Sequence, residues 1–138
     1  MGGNKTDRYT LLVVDDEPSV LNVLRGVLER AGYAVLPAQS PVTALELFET
    51  RRAPVRLLLT DVAMPGMSGI ELADRLVALD PQLKVLLIAG LPDHPEVMAS
   101  VIQKGFSFLP KPFFPKQLVD KVKEILGEPR GLAASGGL

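Results

Sequence analysis

Four side chains in this sequence stand where chemistry is usually done: Asp15, Asp16, Asp61 and Lys111. Each follows a short apolar run, Thr10 to Val14 before the first two acids, Val55 to Thr60 before Asp61, and Phe106 to Leu109 shortly before Lys111. Runs of this length, bounded by breakers such as Pro65 and Gly66, suit buried strands. An acid at the end of a buried strand sits at the sheet's rim, where open α/β sheets keep a crevice. If the strands ending in acids are neighbours, three carboxylates share that crevice and repel one another unless a cation lies between them. With only carboxylate, carbonyl and water ligands on offer, the cation most compatible is Mg²⁺. Lys111 could bring a second positive charge to the same rim. Asp61, Mg²⁺ and Lys⁺ together are what a phosphoryl group needs as it moves onto a carboxylate: cations neutralise its oxygens while the acid supplies the attacking atom. Blander readings exist for each residue. Asp61 could cap the turn that follows it, Asp15 and Asp16 could answer the dipole of a helix starting at Pro18, and Lys111 could be a solvated turn lysine. One acid would satisfy a helix dipole, however, and here there are two opposite a third.

Composition narrows the classes. A chain of 138 residues holds one domain with a real core. With 15 basic and 16 acidic residues its net charge is −1, which offers no field for nucleic acid or an anionic membrane. The absence of cysteine excludes disulfides and thiolate chemistry, and a single histidine, His94, cannot make a His-rich metal site; a surface role suits it. No apolar run approaches a membrane span of about 20 residues, and the polar start, Met1 to Asp7, lacks a signal-peptide core. The expected location is the cytoplasm.

The elements that position the acids follow from periodicity. After the first strand, Pro18 opens a helix carrying Val20, Leu21, Leu24, Val27 and Leu28, and Gly32 stops it. Tyr33 to Ala38 is a second strand. Ser40 and Pro41 start a second helix with Val42, Leu45 and Phe48 on one face and Arg51 and Arg52 in its last turn. The third strand ends at Asp61. A third helix runs from about Ile70 to Leu79 with Leu72, Leu76 and Leu79 inward, and Asp80-Pro81 ends it. Leu83 to Ile88 is a strand apolar on both faces. Residues 89–93 form a loop, Pro95 starts a helix with Val97, Met98, Val101 and Ile102, and Phe106 to Leu109 is a brief fifth strand. A core role is expected for at least one of Phe106 and Phe108, and Met64, Met67 and Met98 read as packing. Pro115 to Leu126 is a last helix with Leu118, Val122 and Ile125. Five strands alternating with five helices predict an α/β fold, a parallel sheet covered on both faces by right-handed crossovers. In the flavodoxin-like order 2-1-3-4-5, strands one and three are neighbours at the switch point, which brings Asp15, Asp16 and Asp61 together.

Three motifs carry a family resemblance: Leu11-Leu12-Val13-Val14-Asp15-Asp16-Glu17, the run from Leu59 to Gly69, and Phe108-Leu109-Pro110-Lys111-Pro112-Phe113. In this order and between these strands, the chain resembles the receiver domain of bacterial two-component response regulators, whose CheY-like members are themselves a standard example of that strand order. The resemblance implies a receiver domain over residues 10–126, between a flexible segment 1–9 and a flexible tail 127–138. It implies that Asp61 accepts phosphate from the phosphohistidine of a sensor histidine kinase or phosphotransfer domain. Asp15, Asp16, Asp61 and the Ala63 carbonyl would hold Mg²⁺, Lys111 would bind a phosphate oxygen, and Phe108 would be the aromatic switch. The Lys111-Pro112 bond is commonly cis in the family. The protein would then not be an enzyme beyond self-phosphorylation and slow auto-dephosphorylation at Asp61. The ending around Lys111 looks most like receivers attached to hybrid histidine kinases.

One position departs from the family. Receivers usually carry Ser or Thr after the fourth strand, with a hydroxyl that bonds the phosphate, and this chain has Ala89. Thr60 is no obvious substitute, because strand alternation turns it away from the side that Asp61 faces. A second reading is therefore a receiver-like interaction module that no longer switches. A third, a Mg²⁺-dependent aspartyl phosphohydrolase of the haloacid dehalogenase type, would place Asp-x-Asp after strand one, where this chain has adjacent Asp15-Asp16. A P-loop enzyme is excluded by the lack of its motif. No effector or nucleic-acid-binding domain is expected within these residues, and a homodimer through helix four, strand five and helix five is left open.

Overall fold

The computed structural model describes residues 8–51, 54–90 and 95–127, without the side chains of 95–97. The elements are β1 (Thr10–Val14), α1 (Pro18–Arg30), β2 (Ala34–Ala38), α2 (Pro41–Thr50), β3 (Val55–Asp61), α3 (Gly69–Leu79), β4 (Lys84–Ala89), α4 (Pro95–Gln103), β5 (Ser107–Pro110) and α5 (Pro115–Leu126). The five strands pair in parallel in the order β2-β1-β3-β4-β5. Expectations about residues 1–7, Arg52, the loop 91–93, His94, the Val97 side chain and the tail 128–138 lie outside the described residues.

Strand alternation divides the core into two. Leu12 and Val14 of β1, Leu58 of β3, and Val85 and Leu87 of β4 face one layer, where Ala44, Phe48, Leu72, Leu76 and Val101 from α2, α3 and α4 meet them. Leu11, Val13, Leu57, Leu59, Leu86 and Ile88 face the other layer, against Leu21, Leu24 and Leu28 of α1 and Leu118 and Val122 of α5. Burial on both faces is why β3 and β4 read as continuous apolar runs. Phe106 and Phe108 both pack, partly buried, on the first layer.

Local signals set the helix ends. The Ser40 and Ser68 hydroxyl oxygens accept the backbone N–H of Thr43 and Glu71, each at 3.1 Å, capping α2 and α3. Gly32, just past the end of α1, has φ +106°, the left-handed region in which glycine costs least.

Three expectations are corrected. Val42 is 63% exposed, because the buried stripe of α2 is Pro41, Ala44 and Phe48, with Leu45 only partly covered. Leu79, the last residue of α3, is 58% exposed, and Ala73 joins Leu72 and Leu76 inward. Arg51 lies beyond α2 in extended backbone, not in its last turn; its guanidinium returns to bond the Phe48 carbonyl and covers the Phe48 ring. On α2 and α3 the small residues Ala44 and Ala73 take buried positions, while the larger Val42 and Leu79 lie outside. Strand ends also shift by a residue or so: Tyr33 and Phe106 precede their strands, and Asp61 and Ala89 complete theirs.

Candidate functional site

Parallel pairing brings the ends of β1 and β3 side by side, with Val14 opposite Thr60. Asp61 is the last residue of β3, opposite Ile88 of β4, and is 8% exposed. Asp15 follows β1, its backbone N–H bonded to the Ala38 carbonyl of β2 at 3.1 Å, and is 3% exposed. Asp16, next along, is exposed. One carboxylate oxygen from each of the three lies within 4.8 Å of the others.

Lys111 reaches this cluster from the end of β5. Its backbone N–H donates to the Ala89 carbonyl at 2.8 Å, which continues the β4–β5 ladder past Pro110 and aligns the residue with the crevice. Its ammonium then donates to Asp61 Oδ2 at 2.9 Å. The other oxygen, Oδ1, accepts the Ala63 N–H at 3.2 Å. The contact shown for Ala63 is thus through its N–H. The Lys111-Pro112 bond is cis. Thr60, fully buried, gives its hydroxyl proton to the Asp61 backbone carbonyl at 3.0 Å, with Met64 Sδ at 3.9 Å, away from the carboxylate. Ala89 is partly buried at the end of β4, and Phe108 pairs with Leu87 in register.

Two residues matter here that spacing did not single out. The Glu17 backbone N–H donates to Asp15 Oδ1 at 2.9 Å and holds that carboxylate in place. Gly69, at the start of α3, donates its N–H to the Val62 carbonyl at 2.8 Å. A Cβ on Gly69 would fall 2.1 Å from the Asp61 backbone oxygen, so only glycine lets the helix come this close. In the sequence Gly69 stands only as the last residue of the motif that begins at Leu59.

Charge is unevenly matched in the crevice. Burial raises the Asp15 pKa above the usual carboxylate value, and the charges of Asp61 and Asp16 add to this; the Glu17 N–H and Lys111 act in the opposite direction without cancelling it. Burial works against the Lys111 ammonium, but the Asp61 hydrogen bond and charge, with Asp15 and Glu17 behind them, outweigh it and raise its pKa. Three hard oxygen donors in a site short of positive charge fit a magnesium-like cation.

The Asp15 shift has a stability consequence. A carboxyl with a raised folded-state pKa contributes stability that is full below the ordinary carboxylate range and is lost as pH rises through the raised value. At neutral pH the ionised group is a net cost to the metal-free fold. Asp15→Asn keeps the acceptor for the Glu17 N–H and removes the charge. It should raise the melting temperature in chelator at neutral pH, with a gain that shrinks on acidification. A lower melting temperature at neutral pH would contradict this.

The profile of the response regulator receiver domain matches residues 11–123. The chain belongs to that family. This receiver domain is 34% identical over 116 residues to the response regulator receiver protein CpdR of Brucella abortus, covering 84% of this chain and 95% of CpdR. It is 37% identical over 117 residues to Sensor kinase CckA of the same organism, covering 85% of this chain and 12% of the kinase. The receiver thus spans less than a third of the length of some of the curated relatives it matches. Its fold superposes on a CheY-like response regulator receiver domain protein from Methanospirillum hungatei with TM-score 0.79 and 29% identity, over 88% of this chain and 96% of the other. Among the described residues of the receiver, no helix is long and apolar enough to cross a membrane.

Proposed function

We propose that this receiver domain, spanning residues 10–126 between flanking segments 1–9 and 127–138, accepts a phosphoryl group at Asp61 from a phosphohistidine of a histidine kinase or phosphotransfer domain in the cytoplasm. The observation that carries this reading is the buried Asp61 carboxylate with the Lys111 ammonium on Oδ2 at 2.9 Å and two further acids beside it. An Asp61 oxygen forms the bond to phosphorus as the N–P bond breaks, and the electron pair of that bond stays on the donor imidazole. Lys111 then moves its hydrogen bond from the carboxylate to a phosphoryl oxygen, an exchange of one anionic partner for another. Asp15, Asp16, Asp61 and the Ala63 carbonyl are the groups that would hold Mg²⁺, which when bound supplies positive charge to the phosphoryl oxygens. Incubation with acetyl phosphate, followed by intact mass, tests the reading. One phosphoryl group should add in Mg²⁺ and none in chelator. Equal incorporation in chelator would overturn the metal's part in it.

Ala89 supports a second reading, a receiver that engages its partner without a strong switch. Its side chain has no hydroxyl, and Thr60 commits its own to the Asp61 backbone. A hydrogen bond to a charged group contributes about 1.5–3 kcal/mol, comparable to typical allosteric coupling of about 1–3 kcal/mol. Ala89→Thr should therefore enlarge the beryllofluoride-induced NMR shift changes at Phe108 and along α4, with little change in Mg²⁺ affinity. Equal responses in the two proteins would show that this receiver switches without the hydroxyl.

A further inference from the structure

The crevice at the strand ends leaves a second concavity unused. It lies along the free edge of the sheet, where β2 is the outermost strand, and has a volume of about 370 Å³. Small-ligand sites commonly have about 300–1,000 Å³ and join apolar walls to a few polar groups. Here Val35 and Leu36 of β2 and Leu47 of α2 supply apolar wall, and Thr10, Thr50 and Arg51 supply the polar groups.

Arg51 folds back onto Phe48. Its Nη1 donates to the Phe48 carbonyl, and its guanidinium lies 3.8 Å from the Phe48 ring centroid. That bond uses one of five N–H donors. Among the described residues no carboxylate makes a salt bridge with Arg51. Thr50 spends its hydroxyl proton on the Glu46 carbonyl at 2.8 Å, whereas the Thr10 hydroxyl has no hydrogen-bond partner among the described residues. Among the described residues the pocket therefore offers a planar cation and an unpartnered hydroxyl beside aliphatic walls.

We infer that this pocket binds a monocarboxylate with an apolar tail. The carboxylate pairs with the free edge of the Arg51 guanidinium, a geometry that favours two parallel hydrogen bonds, and Thr10 can donate a third. The tail displaces water from Val35, Leu36 and Leu47. A partner strand is a poorer occupant. Ala34 N–H bonds the Tyr9 carbonyl and the Ala38 carbonyl accepts Asp15 N–H, so residues 34, 36 and 38 face β1. Val35 and Pro37 face outward, and Pro37 has no N–H to give an added strand. The exposed acids Glu46 and Glu49 on α2 make a cationic ligand the competing case.

Octanoate, octanol and octylammonium titrated into ¹⁵N-labelled protein separate these cases. Octanoate should give saturable shifts centred on Val35, Leu36, Leu47, Thr50 and Arg51, with affinity about tenfold or more above that of octanol. Arg51→Gln should lose about that factor, and Arg51→Lys should lose less. Octanol or octylammonium binding as tightly as octanoate would overturn the inference, as would shifts that spread over the surface without saturating. So would a folded Arg51→Gln that binds octanoate as wild type does. If Arg51→Gln does not fold, the comparison of the three ligands on wild type still decides.

Discussion

Asp61→Asn should reduce phosphoryl incorporation from acetyl phosphate to background while leaving the fold intact. The substitution keeps the shape of the side chain and an oxygen for the Ala63 N–H, now 3.2 Å from Oδ1. It removes the attacking oxygen and the charge that holds the Lys111 ammonium at 2.9 Å. It also relieves Asp15 of one of the charges that raise its pKa but removes the pair that raises the Lys111 pKa, and with these effects opposed the metal-free variant should melt close to wild type. Intact mass and thermal unfolding read both effects. Labelling of Asp61→Asn to the wild-type extent would move the acceptor to another residue.

Gly69→Ala should cost more stability than any exposed substitution, although alanine is the better helix former. The gain in helix propensity is at most about 1 kcal/mol. Against it stands a Cβ 2.1 Å from the Asp61 carbonyl oxygen and 2.9 Å from its carbon, both backbone atoms that no rotamer change can move. Overpacking of flexible side chains already costs about 1–3 kcal/mol, and a backbone contact lies at the upper end of that range or beyond. The melting temperature should fall by roughly 5–10 °C. Because the displaced atoms belong to Asp61 itself, phosphoryl incorporation should also slow. An unchanged melting temperature would show that α3 can retreat from β3 without loss.

Much of the site was legible in the sequence because buried strands announce their ends. Asp15 and Asp61 each close an apolar run, and the alternation of helices and strands makes the sheet parallel, so both acids must lie at one pole. The placing of β1 beside β3 drew on the family likeness as well as on pattern. The reach of Lys111 across 50 residues of sequence to Asp61 depends on the fifth strand joining the same sheet. What the sequence could not show is how near backbones come. Gly69 reads as a loop glycine until α3 is seen lying on the Asp61 carbonyl. Helix facing was misjudged by size: Ala44 and Ala73 are fully buried, and Val42 and Leu79 are left outside. Hydrophobicity alone ranks valine and leucine above alanine for burial, whereas close packing favours the smaller side chain at the tightest contact.

The most direct measurement is to treat the acetyl phosphate–labelled protein with borohydride, which reduces an aspartyl phosphate to the alcohol, and to sequence the tryptic peptide from Leu57 to Arg75 by mass spectrometry. Asp61 and Asp74 both lie in that peptide, one buried beside Lys111 and the other exposed and paired with Lys104. Homoserine at position 61 alone, formed only when Mg²⁺ was present during labelling, is the predicted result. Homoserine at position 74, or an unmodified peptide from protein that has gained a phosphoryl group, would contradict the assignment of Asp61 as the acceptor.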